Sequence, residues 1–167
     1  DLSNSIILIT SSRSIDYLVK SKTLETCKKS KFLVIGKTTS MRLRQLGCKR
    51  IIVSASNSKE LLKKSKLVLK KKETIKFLCS NIFNKELLKS LNKLNYNVVS
   101  LKVYKTLGIK KLKKSVVRNL KQDKIVAAVF FSQFSLSIFF KLCKNENIER
   151  STLKKLHYIC ISKRVAN

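Results

Sequence analysis

One short pattern occurs twice along this chain and narrows its fold more than any other feature. A run of apolar residues leads into a Ser-containing turn. A helical stretch follows, and a second apolar run ends on a small residue and Lys. The first copy is Ile6-Ile7-Leu8-Ile9-Thr10-Ser11-Ser12, answered by Phe32-Leu33-Val34-Ile35-Gly36-Lys37-Thr38-Thr39. The second is Val126-Ala127-Ala128-Val129-Phe130-Phe131-Ser132-Gln133, answered by Tyr158-Ile159-Cys160-Ile161-Ser162-Lys163. The spacing within each copy, roughly 25–30 residues, is that of a βαβ crossover, whereas a hairpin needs only a two-residue turn. Two parallel α/β units follow. Each presents hydroxyls and backbone N–H groups at the carboxyl ends of its strands, the edge where open α/β sheets bind ligands.

The rest of the chain fits this scheme. Strands are expected at 6–9, 32–35, 51–53, 75–79, 98–103, 125–131 and 156–161, because short continuous apolar runs suit strands buried on both faces of a parallel sheet. Helical patterns lie between them. Leu87, Leu88, Leu91 and Leu94 fall on one stripe with Lys and Asn opposite. Asn57 or Ser58 is placed to cap another helix, and the Lys-rich stretch 63–72 either continues that helix or loops out. After Val103 the rhythm changes to Tyr104-Lys105-Thr106-Leu107-Gly108 and a basic segment, 110–124, so a domain boundary is expected there. The chain opens at Asp1 almost directly on a strand and stops at Asn167 just after another, which reads as a fragment cut at both ends.

The 167 residues, 44% of them hydrophobic, suffice for one good core or two small ones. No apolar run reaches the length of a membrane span and no signal-peptide layout opens the chain, so a cytoplasmic protein is expected. The net charge of +29 would ordinarily point to nucleic acid. Here Lys is spread along the whole chain, while Pro and Trp are absent and Gly numbers only 3. We read the charge as compositional drift on solvated faces, although even an undirected positive field attracts an anionic substrate. The five cysteines are scattered without a C-x-x-C pair, which argues against zinc, an iron–sulfur cluster or a disulfide framework. Cys79 and Cys160 read as small core residues, and the lone His157 is placed outside any site.

Read together, these segments resemble the uroporphyrinogen-III synthases. Thr10-Ser11 is similar to the family's first turn after a strand, Val34-Ile35-Gly36-Lys37-Thr38-Thr39 to its second, and Gly47-Cys48 precedes Ser58-x-x-Leu61 in family order. Phe77-Leu78-Cys79 before a Lys-Glu-Leu-Leu helix, Val103-Tyr104-Lys105-Thr106 and Phe131-Ser132 continue the match, which closes on Ile161-Ser162-Lys163-Arg164-Val165-Ala166. Departures are Ser162 for a usual Gly, Val165 for a hydroxyl residue, Gln133 for Pro, and Asn81 near a Gly.

The resemblance implies two flavodoxin-like parallel-sheet domains joined by an extended linker, the second incomplete. Residues 1–98 correspond to the middle domain, 99–107 to the linker strand and 108–167 to the C-terminal part of the outer domain. It implies a cofactor-independent hydro-lyase of haem biosynthesis acting on hydroxymethylbilane, a linear tetrapyrrole with eight carboxylates. The D ring is inverted through a spiro intermediate, water is lost and the macrocycle closes. It further implies a monomer able to receive its substrate from hydroxymethylbilane synthase. Tyr104 is the residue expected to assist departure of the hydroxyl. Ser11, Ser12, Gly36, Thr38 and Thr39 are expected to bind substrate from one domain, and Ser132, Gln133 and Ser162 from the other. Lys37 and Lys163 are candidates to pair with carboxylates. Each has a plainer reading: Ser11 and Ser132 as helix caps, Thr39 as a first-turn residue, Gly36 as a permissive backbone position, Tyr104 as a packed linker residue. Three competing functions remain open: a basic nucleic-acid- or ribosome-associated protein, a decayed synthase, and a small-molecule binding module on the same scaffold.

Overall fold

The computed structural model describes residues 2–166, Arg164 by its backbone alone; the expected boundaries at Asp1 and Asn167 lie outside the described residues. The chain divides into two compact units, Asp1–Thr106 and Leu107–Asn167.

The first unit runs β1 (Ile6–Ile9), α1 (Ser12–Lys20), α2 (Leu24–Cys27), β2 (Lys31–Ile35), α3 (Lys37–Gln45), β3 (Ile51–Ala55), α4 (Ser58–Val68), β4 (Thr74–Ser80), α5 (Lys85–Lys93) and β5 (Asn97–Tyr104). Its five strands form one parallel sheet in the order β3-β2-β1-β4-β5. β1 lies at the centre because it can be buried on both sides: none of Ile6, Ile7, Leu8 and Ile9 is more than 8% exposed. Its alternating side chains serve two cores. Ile7 and Ile9 join Phe32, Val34 and Leu78 beneath Ile15 and Leu18 of α1, Cys27 of α2 and Leu43 of α3. Ile6 and Leu8 join Leu33, Val53, Ile75 and Phe77 beneath Leu61 of α4 and Leu87 and Leu91 of α5. Helices α1–α3 therefore cover one face and α4–α5 the other. The strand order reverses between β1 and β4, and that switch point sets where the carboxyl-end turns diverge.

The undecided stretch after Ser58 is helical as far as Val68. It then turns at Lys72, whose φ is +67°, with Glu73 accepting a hydrogen bond from the Lys70 N–H at 2.7 Å. Residues 99–104 of the expected linker run inside β5, paired with β4 from Asn97 to Tyr104. Cys79 is buried as expected, whereas Cys160 is only half-buried.

Ser65 of α4 is fully buried, and its hydroxyl is the one buried side-chain polar group without a hydrogen-bond partner among the described residues. A buried, unsatisfied hydroxyl costs about 1–3 kcal/mol. Ser65→Ala removes that penalty and favours the helix, so we expect it to stabilise the chain by about 1 kcal/mol, read as a higher urea midpoint at unchanged slope.

The second unit comprises α6 (Lys114–Lys121), β6 (Ala127–Phe130), α7 (Gln133–Asn145), α8 (Arg150–Lys155), β7 (His157–Cys160) and α9 (Lys163–Ala166). β6 and β7 pair in parallel, Ala127 opposite His157 and Phe130 opposite Cys160. Leu120, Cys143, Ile148 and Leu156 form its core. Phe130 packs on Phe139 with ring centroids 5.3 Å apart and on Tyr158 at 6.3 Å. The opposite sheet face carries Val129 and Ile159, 55% and 54% exposed. The expectation that 125–131 is a strand buried on both faces is corrected: Phe131 is 73% exposed. The physical reason is that a two-stranded sheet is covered here on one face only. Gly108 is needed where α7 approaches, since a Cβ there would lie 2.7 Å from the Ile138 Cδ1.

Candidate functional site

The carboxyl ends of the first unit's strands carry an almost continuous set of hydroxyl and amide side chains. After β1 come Thr10, Ser11 and Ser12; after β2, Gly36 to Thr39; after β3, Ser56 to Ser58; after β4, Asn81 to Asn84; β5 ends on Tyr104. Neighbouring strands lie about 4.8 Å apart, so Gly36 and Ser11 sit on adjacent strand ends and Tyr104 two strands beyond β1.

The helix starts at this edge differ in a way that matters for anions. Ser11 caps α1, accepting from the Arg13 N–H at 3.3 Å. Asn57 caps α4 through the Glu60 N–H at 3.0 Å, and Asn84 caps α5 through the Leu87 N–H at 3.2 Å. At α3 the capping position is Gly36, which has no side chain to satisfy the first-turn N–H groups. Its φ of +101° is a conformation that favours glycine, and a Cβ would stand 3.3 Å from the Thr39 Oγ1. Uncapped amides at a helix N-terminus bind anions by hydrogen bonding and by the helix dipole.

Acidic residues divide the edge further. Glu60 and Glu86 occupy the first turns of α4 and α5, while α1 and α3 have none. The anion-favouring side of the edge is therefore the one built by α1 and α3. An Arg42–Asp16 ion pair at 2.6 Å ties those two helices together.

Glu60 closes the α4 start from the other direction. Its carboxylate bonds the Lys64 ammonium at 2.7 Å and accepts from the Ser56 N–H at 2.7 Å and the Ser56 hydroxyl at 2.6 Å. Lys64 and then Ser56 hold the carboxyl well below its ordinary 4.5, at about 2. A depressed carboxyl pKa contributes stability that is complete above the unfolded value and is lost as pH falls through the folded one. Glu60→Gln is expected to flatten the stability profile between about pH 4.5 and 2 while changing little at pH 2; urea midpoints across that range check it. The group is solvent-exposed, so the effect is small.

The sequence-derived site residues fall as follows. Ser12 opens α1, half-buried; Thr38 and Lys37 are exposed on the first turn of α3; Thr39 is buried under Gly36, 7% exposed. Ser132 caps α7, accepting from the Ser135 N–H at 3.1 Å, and Gln133 is exposed beside it. Ser162 is exposed after β7, its carbonyl accepting from the Val165 N–H at 2.9 Å, and Lys163 opens α9. These last four belong to the second unit, at the carboxyl ends of its own two strands. The capping roles of Ser11 and Ser132 are thus present; the Gly36 N–H donates to the Ala55 carbonyl at 2.8 Å, so the first-turn donors left without a partner among the described residues are the amides of Lys37 and Thr38.

Tyr104 ends β5, half-buried, and no described residue hydrogen-bonds its hydroxyl. The pairing of β4 with β5 slips just before it: Cys79 faces Lys102 and Ser80 faces Tyr104, leaving Val103 as the extra residue of a bulge. Such bulges re-aim the next side chain. Sequence reading missed the bulge, and it missed the turn after β4, where Asn81 and Asn84 make long-range hydrogen bonds; two Asn residues three apart after an apolar strand were the available signal.

Burial holds the thiols of Cys27 and Cys143 up to about 11 and raises those of Cys48 and Cys79. Buried, protonated thiols are poor nucleophiles. Among the described residues no cluster of His, Cys, Asp or Glu could hold a metal ion, and no helix is long and apolar enough to cross a membrane.

Comparison with known proteins bears on the whole chain. Solved structures of similar fold include a mutant uroporphyrinogen III synthase from the extremely thermophilic bacterium Thermus thermophilus (TM-score 0.64, 18% identity, 98% of this chain and 67% of that one). The uroporphyrinogen-III synthetase of Helicobacter pylori 26695 gives 0.64 and 18%, over 99% and 71%. The wild-type Thermus enzyme in another crystal form gives 0.54 and 18%, over 98% and 65%. This chain thus spans about two thirds of their length, and at such identities the likeness establishes the fold alone. No curated protein matches it by sequence. The family model described as uroporphyrinogen-III synthase HemD matches residues 2–167. That match spans nearly the whole chain, and the chain belongs to the uroporphyrinogen-III synthase family.

Proposed function

We propose that this chain catalyses the family reaction: closure of hydroxymethylbilane, with inversion of its D ring and loss of water, to uroporphyrinogen III. In that reaction the carbon–oxygen bond of the terminal hydroxymethyl group breaks, pyrrole electrons stabilise the cation left behind, and a carbon–carbon bond forms through a spiro intermediate. The hydroxyl leaves as water after gaining one proton, and one proton is lost from the ring system. The pyrroles supply the electrons, so we read the enzyme as a cofactor-independent hydro-lyase. The protein's task is to fold a floppy polyanion and assist the leaving group.

The observation that carries this reading is the uncapped start of α3 at Gly36, among turns free of acidic side chains, within a chain of this family. The amides of Lys37 and Thr38 suit one substrate carboxylate, with Ser12 nearby on the adjacent strand end. Thr39 supports Gly36 from beneath. Ser132, Gln133, Ser162 and Lys163 offer similar chemistry on the second unit. The Tyr104 phenol, which no described residue hydrogen-bonds, is suited to donate to the departing hydroxyl. The first sheet is parallel with helices on both faces, which supports an open doubly wound domain, but its order β3-β2-β1-β4-β5 differs from the flavodoxin order 2-1-3-4-5; the bare apolar face of β6 and β7 suits a sheet face that needs a further covering layer. We read residues 1–98, 99–107 and 108–167 as middle domain, linker and returning outer segment. We further read the protein as a cytoplasmic monomer that can take its substrate from hydroxymethylbilane synthase.

The test supplies freshly made hydroxymethylbilane to the full-length protein and separates the uroporphyrin isomers after oxidation. Type III product above the spontaneous type I background is expected. A folded protein that yields type I alone would mark a decayed synthase and overturn the reading.

A further inference from the structure

Asn81 stands on the turn after β4 and reaches 25 residues along the chain to the backbone of Thr106. The Thr106 N–H donates to its Oδ1 at 2.7 Å, and its Nδ2 donates to the Thr106 carbonyl at 3.3 Å. Both bonds agree on one orientation of the amide, which acts as a peptide group and extends the β4–β5 ladder past its last backbone pair, Ser80 with Tyr104. The turn that carries Asn81 is itself fastened. The Ser80 hydroxyl accepts from the Ile82 N–H at 3.0 Å and donates to the Ile82 carbonyl, and Asn84 bonds the Ser58 hydroxyl at 3.2 Å.

Tyr104 therefore sits between two fixed points. The bulge at Val103 precedes it, and the Asn81 clamp on Thr106 follows it, while no described residue engages its own hydroxyl. We propose that Asn81 is a positioning residue: by holding Thr106 at two points it keeps the end of β5 from fraying and presents the Tyr104 phenol at the carboxyl edge. This rests on the reading that Tyr104 assists departure of the substrate hydroxyl. The clamp makes no demand on the substrate, so its loss acts on turnover and not on affinity.

The experiment compares Asn81→Ala, Asn81→Asp, Tyr104→Phe and Asn81→Ala/Tyr104→Phe in the full-length protein, with the exposed helix residue Asn92→Ala as control. Formation of type III product and amide exchange at Thr106 are both measured. We expect Asn81→Ala to lower kcat about 10-fold with KM within about 2-fold, as a misplaced catalytic group does. Asn81→Asp keeps the acceptor for the Thr106 N–H and loses the donor, so it falls between. Exchange at Thr106 accelerates in Asn81→Ala while the β1 amides keep their protection. The double variant is no slower than Tyr104→Phe alone, because one residue acts through the other.

If Asn81→Ala turns over like wild type while Tyr104→Phe is impaired, the positioning role is overturned and the reading of Tyr104 survives. Additive losses in the double variant also overturn it, since Asn81 would then act apart from Tyr104. Exchange rising throughout β1 and β4 in both Asn81 variants would make the effect structural and overturn it too. If Tyr104→Phe matches wild type, the reading of Tyr104 fails and the proposal fails with it.

Discussion

Tyr104→Phe is expected to slow the formation of type III product by about 100-fold or more, the usual contribution of a positioned proton donor. The substitution removes one oxygen and leaves the ring. Among the described residues the Tyr104 hydroxyl has no hydrogen-bond partner, so none is lost there, and the half-buried ring keeps its packing at the end of β5. Stability should change by less than about 0.5 kcal/mol, the range of substitutions that disturb no buried contact. If the phenol acts only on the departing hydroxyl, kcat falls and KM stays near its wild-type value, because the lost interaction exists in the transition state and not in the ground state. The isomer ratio gives a second readout. Substrate that dissociates unreacted closes spontaneously, so type I product should rise as type III falls. Turnover by Tyr104→Phe at the wild-type rate would remove Tyr104 from the chemistry and leave the strand-end amides as the only assistance the first unit offers.

Much of the fold was legible because its signals are local. Ile6 to Ile9, Phe32 to Ile35 and Ile75 to Cys79 are apolar runs too short for helices and too continuous for one-sided strands, and they form the centre of the parallel sheet. Gly36 was legible for a related reason, since a glycine between a buried strand and a Thr-rich helix start marks a backbone that other residues avoid. What lay out of reach depends on which strand lies beside which. Residues 97–104 set Ser100 and Lys102 among Val98, Val99, Leu101 and Val103, and nothing in that mixture tells a linker strand from the fifth strand of a sheet. The bulge at Val103 depends on the register with β4, and the Asn81 clamp joins residues 25 apart in the chain; neither has a periodicity to betray it. Phe131 misled for the opposite reason. Its neighbours are apolar, but burial needs a covering layer, and sequence alone does not say which sheet face has one.

The largest effect on stability is expected from Phe77→Ala. Phe77 lies on β4 beside β1, fully buried, with its ring edge-to-face against Phe83 at 5.7 Å and 86°. It shares a core with Leu8 and Leu33 of the sheet and with Leu61, Leu87 and Leu91 of the helices above. Truncating a buried Phe to Ala costs about 3–5 kcal/mol, from lost transfer free energy and from the cavity left between elements that cannot close over it. Domains of this size hold about 5–15 kcal/mol in all, so the variant should unfold at a much lower urea concentration, with a Tm lower by more than about 10 °C. Phe131→Ala is the control of identical chemistry: its side chain is 73% exposed, and a change within about 0.5 kcal/mol is expected. Two compact units make a single global transition an unsafe assumption. Amide exchange at β1 and β4, inside the first unit, is therefore the deciding measurement. Loss of protection there confined to Phe77→Ala would show that the core beneath α4 and α5 carries the sheet whose ends bear Gly36 and Tyr104. A Phe77→Ala protein as stable as wild type would mean that α4 and α5 collapse onto the vacated space, and that the switch-point geometry does not depend on this ring.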